Sequence, residues 1–244
     1  MNTNNARPLG AYRGTAVIVG ILFIIGSVSG VVSGVVTAPI RAESAFPLHV
    51  SASATQWIIG TLFVMLMGLS LAMVPVMLYP VFRKLPVLAS GAVLFRGAIE
   101  AVSYAVMVIS MLLQLTVSEI YATTGAAGAS ILQPLGSVLT ASKDWTEMWG
   151  AVIFAIGGLM IYALFYQTRL VPRWLSAWGL VGGVLYIVAN VVSMFGPLHI
   201  APDIGSGVGL LLVPTAIQEM VFAVWLIVKG FNPSALAALS ARPD

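Results

Sequence analysis

Six long apolar stretches, separated by short polar segments, dominate the pattern of this chain. A helix of about 20 apolar residues spans the roughly 30 Å of hydrocarbon in a bilayer, and each stretch is close to that length or longer. The stretches do not alternate between polar and apolar residues, as the strands of a membrane barrel would. We therefore expect six membrane-spanning helices, at residues 15–36, 57–82, 87–117, 149–166, 175–195 and 208–228.

The predicted fold is an all-α, polytopic membrane protein in which six transmembrane helices form one bundle. Residues 15–230 would form this single domain, with short tails at residues 1–14 and 231–244. Arginines precede the first stretch, as in a signal peptide, but its 22 residues exceed the usual length of about 7 to 15, which favours a retained helix. Apolar residues at helical spacing in the predicted external loop 118–148 indicate a short helix on the membrane surface.

The composition supports a membrane protein and excludes several other classes. Hydrophobic residues make up 59% of the chain and charged residues only 8%, whereas soluble domains carry about 25% charged residues. The chain has no cysteine and two histidines, so disulfides and thiolate chemistry are excluded and neither a metal nor another cofactor is expected. The net charge of +3 is interpreted as the bias of cytoplasmic loops rather than as a sign of nucleic-acid binding.

The basic residues also predict the orientation of the bundle. If the N-terminus is cytoplasmic, only Arg41 and Lys143 fall in external loops, and Arg96 falls within the membrane. The positive-inside rule therefore predicts that both termini are cytoplasmic. The remaining basic residues would all lie on the cytoplasmic side: Arg7, Arg13, Arg83, Lys84, Arg169, Arg173, Lys229 and Arg242.

Three charged residues interrupt the apolar stretches. Arg96 and Glu100 lie in the third stretch and Glu219 in the sixth. At 1.5 Å per residue, Arg96 and Glu219 each lie about 13–15 Å from the cytoplasmic end of their helix, near the middle of the membrane. Because an unpaired charge there is costly, we predict that the two helices touch and that Arg96 lies between the two glutamates. Three further polar residues are predicted at this site: Gln218, Tyr104 and Asn190.

Two interpretations of this charged cluster are open. One arginine cannot neutralise two carboxylates, so the cluster would carry a charge of −1 or hold a proton. A binding or transport protein could use it to hold a proton, a cation or a polar head group, with Glu219 as the titrating residue. Alternatively, the chain is a structural or accessory membrane subunit whose buried charges only fix helix packing. An enzyme acting on lipids is a third and weaker hypothesis, since no nucleophile with a base is visible and no histidine lies in a span.

Small residues in the first stretch indicate close helix packing. Gly26, Gly30 and Gly34 recur every fourth residue and therefore share one helix face. Such a face allows another helix to approach closely, either within the bundle or from a second copy of the chain. The expected partners are thus the lipid bilayer and, in a homodimer formed through these glycines, a second copy of the chain.

Three segments of the chain resemble a known family. They read FRGAIE at residues 95–100, LVPRWLSAWG at 170–179 and QEMVFAVWLIVKGFNP at 218–233. The family is a bacterial integral membrane family called domain of unknown function 4386, and the resemblance covers nearly the whole chain. It implies a six-helix protein of the prokaryotic plasma membrane and brings no activity with it. The matching positions include four residues of the predicted site: Arg96, Glu100, Gln218 and Glu219.

Overall fold

The computed structural model describes residues 9–43, 46–195 and 208–241. Arg7 and Arg242, which we predicted to be cytoplasmic, lie outside these residues. All regular elements of the described residues are helical, which confirms the all-α prediction. The α-helices are α1 Leu9–Arg41, α2 Ala54–Phe82, α3 Pro86–Ala92, α4 Glu100–Thr124, α5 Ala129–Thr168, α6 Arg173–Met194, α7 Val213–Val228 and α8 Pro233–Ser240.

Within the described ranges, five continuous helical segments are long and apolar enough to cross a membrane, where the sequence predicted six stretches. The difference arises because the third and fourth stretches belong to one helical segment of 83 residues, with no irregular loop between them. The five segments are Tyr12–Arg41, Val50–Phe82, Pro86–Thr168, Arg173–Met194 and Gly209–Val228.

The longest segment folds back on itself at the 3₁₀ turn Gly125–Gly128, where Gly125 has a φ of 60° that favours glycine. Its two arms, α4 and α5, then pack side by side. The Ser110 and Ser142 hydroxyls lie 3.2 Å apart, and Gln114 Nε2 donates to Thr140 Oγ1 at 2.9 Å. Pairs of polar side chains therefore join the arms along this hairpin.

The prediction of a loop at residues 118–148 is wrong, because most of these residues are helical. The first of its residues extend α4 and most of the others form the start of α5. Leu132 packs there with Leu48 and Val117 in a small buried cluster. The predicted surface helix is thus part of a 40-residue helix, which is far longer than the apolar stretch that marked its second half.

An aromatic cluster joins helices that are distant in sequence. The Phe222 ring of α7 lies 5.6 Å from Phe23 of α1, and 5.6 Å and 5.1 Å from Tyr162 and Phe165 of α5, all in edge-on geometry. Such edge-to-face contacts stabilise buried rings beyond the area they remove from solvent. They hold α1, α5 and α7 together one helical turn from Glu219.

The C-terminal end of α7 and the helix that follows it are also fixed. Arg13 donates to three carbonyl oxygens at the last turn of α7, from Leu226 at 3.0 Å, Ile227 at 2.6 Å and Val228 at 3.4 Å. A cation at this position satisfies carbonyls that no helical N–H can reach. Residues 231–244, predicted as a tail, contain α8, whose Leu236 packs into the main core.

Candidate functional site

Arg96 lies at a distortion of the third predicted span. Residues Val93–Ile99, between α3 and α4, form a π-helical turn. One extra residue per turn shifts the following side chains around the helix axis, and such turns are rare and frequent at functional sites. This turn carries Arg96 into the interior, where the residue is 1% exposed.

The predicted ion pairs are present. Arg96 Nη2 lies 3.2 Å from Glu219 Oε1, and Arg96 Nε lies 4.0 Å from Glu100 Oε2. The first contact joins residues 123 positions apart and confirms that the third and sixth predicted helices meet. Arg96 therefore contacts one carboxylate from its own helical segment and one from α7. The positions of these residues along their helices had predicted this arrangement.

Two aromatic rings complete the surroundings of the guanidinium. Arg96 Cζ lies 4.1 Å from the centre of the Phe154 ring and 5.1 Å from that of Phe23. A cation over an aromatic face gains up to about 2 kcal/mol when water is excluded. The rings thus replace part of the hydration that Arg96 loses in the interior.

A glycine lets α5 approach the π-helical turn. A Cβ atom added to Gly157 would lie 2.6 Å from Arg96 Cβ and 2.9 Å from its backbone nitrogen. At the neighbouring Gly158 the nearest atom would be Arg96 Nη1, at 3.2 Å. Only a residue without a side chain fits at position 157, so the two helices meet backbone to backbone beside the arginine.

Glu100 is the less well satisfied of the two glutamates. It is 1% exposed, and neither of its carboxylate oxygens has a hydrogen-bond donor among the described residues. The predicted neighbour Tyr104 does lie beside it, but not with the geometry of a hydrogen bond. The contact with Arg96, at 4.0 Å, is therefore the main compensation of this charge.

A cavity of about 530 Å³ opens beside Glu219, between the six long helices. Most of its wall is apolar, as in small-molecule sites generally. Each long helix contributes to the lining, represented here by Ser27, Met67, Tyr104, Phe154, Tyr186 and Glu219.

The two charged residues in the wall of this cavity are both acidic, and its other polar groups are hydroxyls. Glu219 presents one oxygen to Arg96 while its side chain retains 9% exposure. Ser27 lies next to the same carboxylate. Glu147, two helical turns before Phe154, also lines the cavity, and Lys143 pairs with it at 2.5 Å. Because no Lys or Arg of the described residues lines the cavity and Glu147 is already paired, Glu219 is the lining residue that can accept a positive charge.

The other two predicted site residues, Gln218 and Asn190, do not join the cluster. Gln218 Nε2 donates to the Leu175 carbonyl at 3.1 Å, so it ties α7 to α6. Asn190 Nδ2 donates to the Tyr186 carbonyl one turn earlier on its own helix, at 2.9 Å. No hydrogen bond within the described ranges connects Asn190 to the charged residues, and its amide is instead satisfied locally.

The glycines of α1 face different surroundings. A Cβ on Gly26 would meet Leu71 at 2.6 Å and one on Gly30 would meet Met67 at 2.7 Å, so both glycines pack against α2. These two positions thus serve packing within the bundle. At Gly34 no described atom lies within 4 Å of such a Cβ. Homodimerisation through this face stays a prediction.

Sequence reasoning missed four residues that build the site: Ser27, Glu147, Phe154 and Gly157. Ser27 and Phe154 are inconspicuous in apolar stretches, and Glu147 fell in a predicted loop. The Gly157-Gly158 pair was a usable signal, because adjacent glycines inside a membrane helix indicate a close helix contact.

Long apolar helices and charges paired in the interior fit a multi-pass integral membrane protein. A family model described as Domain of unknown function (DUF4386) matches residues 18–230, and the chain belongs to this family. The family resemblance of the sequence is thereby confirmed. No curated protein and no solved structure matches the chain.

Proposed function

We propose that this protein binds a proton, a cation or a polar head group at Glu219 in the central cavity, as part of a binding or transport activity. The observation that carries the proposal is the position of Glu219. Its carboxylate is held by the buried Arg96 on one side and lines a cavity of about 530 Å³ on the other. Arg96 supplies the counter-charge, and Glu100 is the second carboxylate beside Arg96.

The charge balance of the cluster supports this proposal. Arg96 faces two glutamates, so the three residues carry a formal charge of −1 when both carboxylates are ionised. A buried site tolerates an uncompensated charge poorly. A proton or a bound cation restores neutrality, and the mostly apolar cavity wall favours a cation with an apolar body or the positively charged head group of a lipid.

The burial of the other two residues supports the structural alternative for part of the cluster. Arg96 and Glu100 are each 1% exposed, so no ligand can reach them without helix movement. Their pairing favours a role in helix packing. We therefore assign ligand contact to Glu219 alone, with Arg96 and Glu100 as positioning residues.

We further propose six membrane crossings, with α4 and α5 as separate crossings of the 83-residue segment. The hydrogen bonds between the two arms support an antiparallel hairpin. The positive-inside rule favours cytoplasmic termini, and the family resemblance supports a location in the plasma membrane of a bacterium.

Binding of tetraphenylphosphonium, an apolar cation, tests the proposed function. We expect the purified protein in detergent to bind this probe at pH 8 and to bind it more weakly at pH 5, since protons compete for the carboxylate. Glu219→Gln removes the charge with little change in shape and should abolish binding, whereas Glu119→Gln, an exposed control, should not. Equal binding by Glu219→Gln contradicts the proposal. So does absence of probe binding together with equal proton uptake by both proteins between pH 8 and pH 5.

A further inference from the structure

A second cavity, far from the central one along the helices, lies at the end of the bundle where α5 meets α6 and α7 meets α8. Its volume is about 490 Å³. Three exposed cations line it, Arg169 at the end of α5, Arg173 at the start of α6 and Lys229 at the end of α7. No Asp or Glu of the described residues is part of this lining. Three separate elements thus bring positive charge to one concave surface.

The two turns that carry these cations are fixed to each other. The backbone N–H of Asn232 donates to the Leu170 carbonyl at 2.8 Å and joins the α5–α6 turn to the α7–α8 turn. Leu170 and Phe231 are buried and anchor their turns in the core. The concave shape therefore belongs to the fold and does not depend on how the exposed side chains are oriented.

Backbone dipoles add to the positive potential. The 22-residue helix α6 starts at this cavity, and its N-cap, Pro172, provides no side-chain acceptor for the first N–H groups. Free N–H groups at a helix N-terminus favour anions. The opposing negative end of α7 is covered by Arg13, which binds its last carbonyls.

Aromatic residues give the depth of this cavity in the membrane. Trp225 lines it, and Trp174, which is 54% exposed, follows Arg173. Tryptophan concentrates at the level of the lipid head groups, where its ring is apolar and its N–H is polar. Basic pockets between helices at this level suit the phosphate of an anionic lipid.

We propose that this cavity, lined by Arg169, Arg173 and Lys229, is a binding site for a phosphate group, presented by an anionic phospholipid or as free phosphate. Arg173 stacks on Tyr166, with its Cζ 5.1 Å from the ring centre, which orders one guanidinium for the contact. The positive-inside rule alone would place cations in these turns but would not gather them around a cavity. The site is independent of the cluster at Glu219.

Native mass spectrometry with phosphatidylglycerol and phosphatidylcholine in matched micelles tests the proposal. We expect the protein to retain phosphatidylglycerol about tenfold more strongly, the effect of one or two charge-assisted contacts. Arg169→Gln/Lys229→Gln should lose this preference. The matched control Arg41→Gln/Arg83→Gln removes the same charge from exposed positions outside the cavity and should keep it. A preference that both variants lose equally, or an absent preference together with no binding of inorganic phosphate, overturns the proposal.

Two further measurements distinguish the source of the phosphate and do not depend on a folded variant. Inorganic phosphate is added to the protein that carries phosphatidylglycerol. If phosphate binds and displaces the lipid, the site serves free phosphate. If it neither binds nor displaces the lipid, the site serves the lipid. In the wild-type protein, acetylation of its three lysines, Lys84, Lys143 and Lys229, is then followed by mass spectrometry. We expect the phosphate-bearing ligand to protect Lys229 relative to Lys84. Equal acetylation of Lys229 with and without that ligand overturns the proposal.

Discussion

Arg96→Leu is expected to lower the free energy of unfolding by about 3–5 kcal/mol, the cost of leaving buried charges without their partner. The substitution leaves Glu100 and Glu219 in the interior without a cation, because Arg96 is the cationic partner of both. It also removes a side chain that fills the space between two aromatic rings. Chemical unfolding in detergent micelles at pH 8 measures the loss.

Acid should partly rescue this variant. As the pH falls, the two orphaned carboxylates gain protons and lose the charge that burial penalises. The difference in stability between wild type and Arg96→Leu should therefore be smaller at pH 5 than at pH 8. Arg96→Leu/Glu219→Leu should also recover part of the stability. A variant that unfolds like the exposed control Arg83→Leu at both pH values contradicts this assignment.

Gly157→Ala should destabilise the protein by about 1–3 kcal/mol, the usual cost of overfilling a packed interior. The new methyl group would lie 2.6 Å from Arg96 Cβ and 2.9 Å from a backbone nitrogen, and neither atom can move without shifting the π-helical turn. We expect α5 to move outward and the contact between Arg96 and Glu219 to lengthen. Thermal unfolding measures the first effect, and binding of tetraphenylphosphonium measures the second.

Gly158→Ala is the matched control for that prediction. Its methyl group would lie 3.2 Å from Arg96 Nη1, the end of a flexible side chain that can adjust by a few tenths of an ångström. The same chemical change one residue along should therefore cost much less than at Gly157. Equal melting temperatures for the two variants would show that the close helix approach at Gly157 does not position Arg96.

The ion pair between Arg96 and Glu219 was predictable because two strong constraints act on it. A charge in the middle of a membrane needs a partner, and the constant rise of a helix gives the depth of each residue. Asn190 lacked the first constraint: an amide can bond to its own backbone, and Asn190 bonds to Tyr186. Depth alone did not place it at the site.

The cavity and the π-helical turn could not be predicted from the chain. A cavity forms where side chains of several helices fail to meet, which depends on the relative placement of those helices. Apart from Arg96, the turn at Val93–Ile99 contains ordinary apolar residues and a glycine, and it has no proline. The extension of α4 and α5 was missed for another reason: polar residues there remain helical because the two arms bond to each other, as Gln114 does with Thr140.

The central claim is that the cavity is accessible and that Glu219 gives it a negative charge. Cysteine labelling tests this claim most directly. The chain has no cysteine, so Ala216→Cys places a single thiol on the cavity wall, one turn from Glu219. Val224→Cys, on an exposed part of the same helix outside the cavity, is the control. We predict that a cationic methanethiosulfonate labels Ala216→Cys about tenfold faster than an anionic one, and that adding Glu219→Gln removes the difference. Labelling of Ala216→Cys no faster than that of Val224→Cys, or equal rates for the two reagents, would contradict the claim.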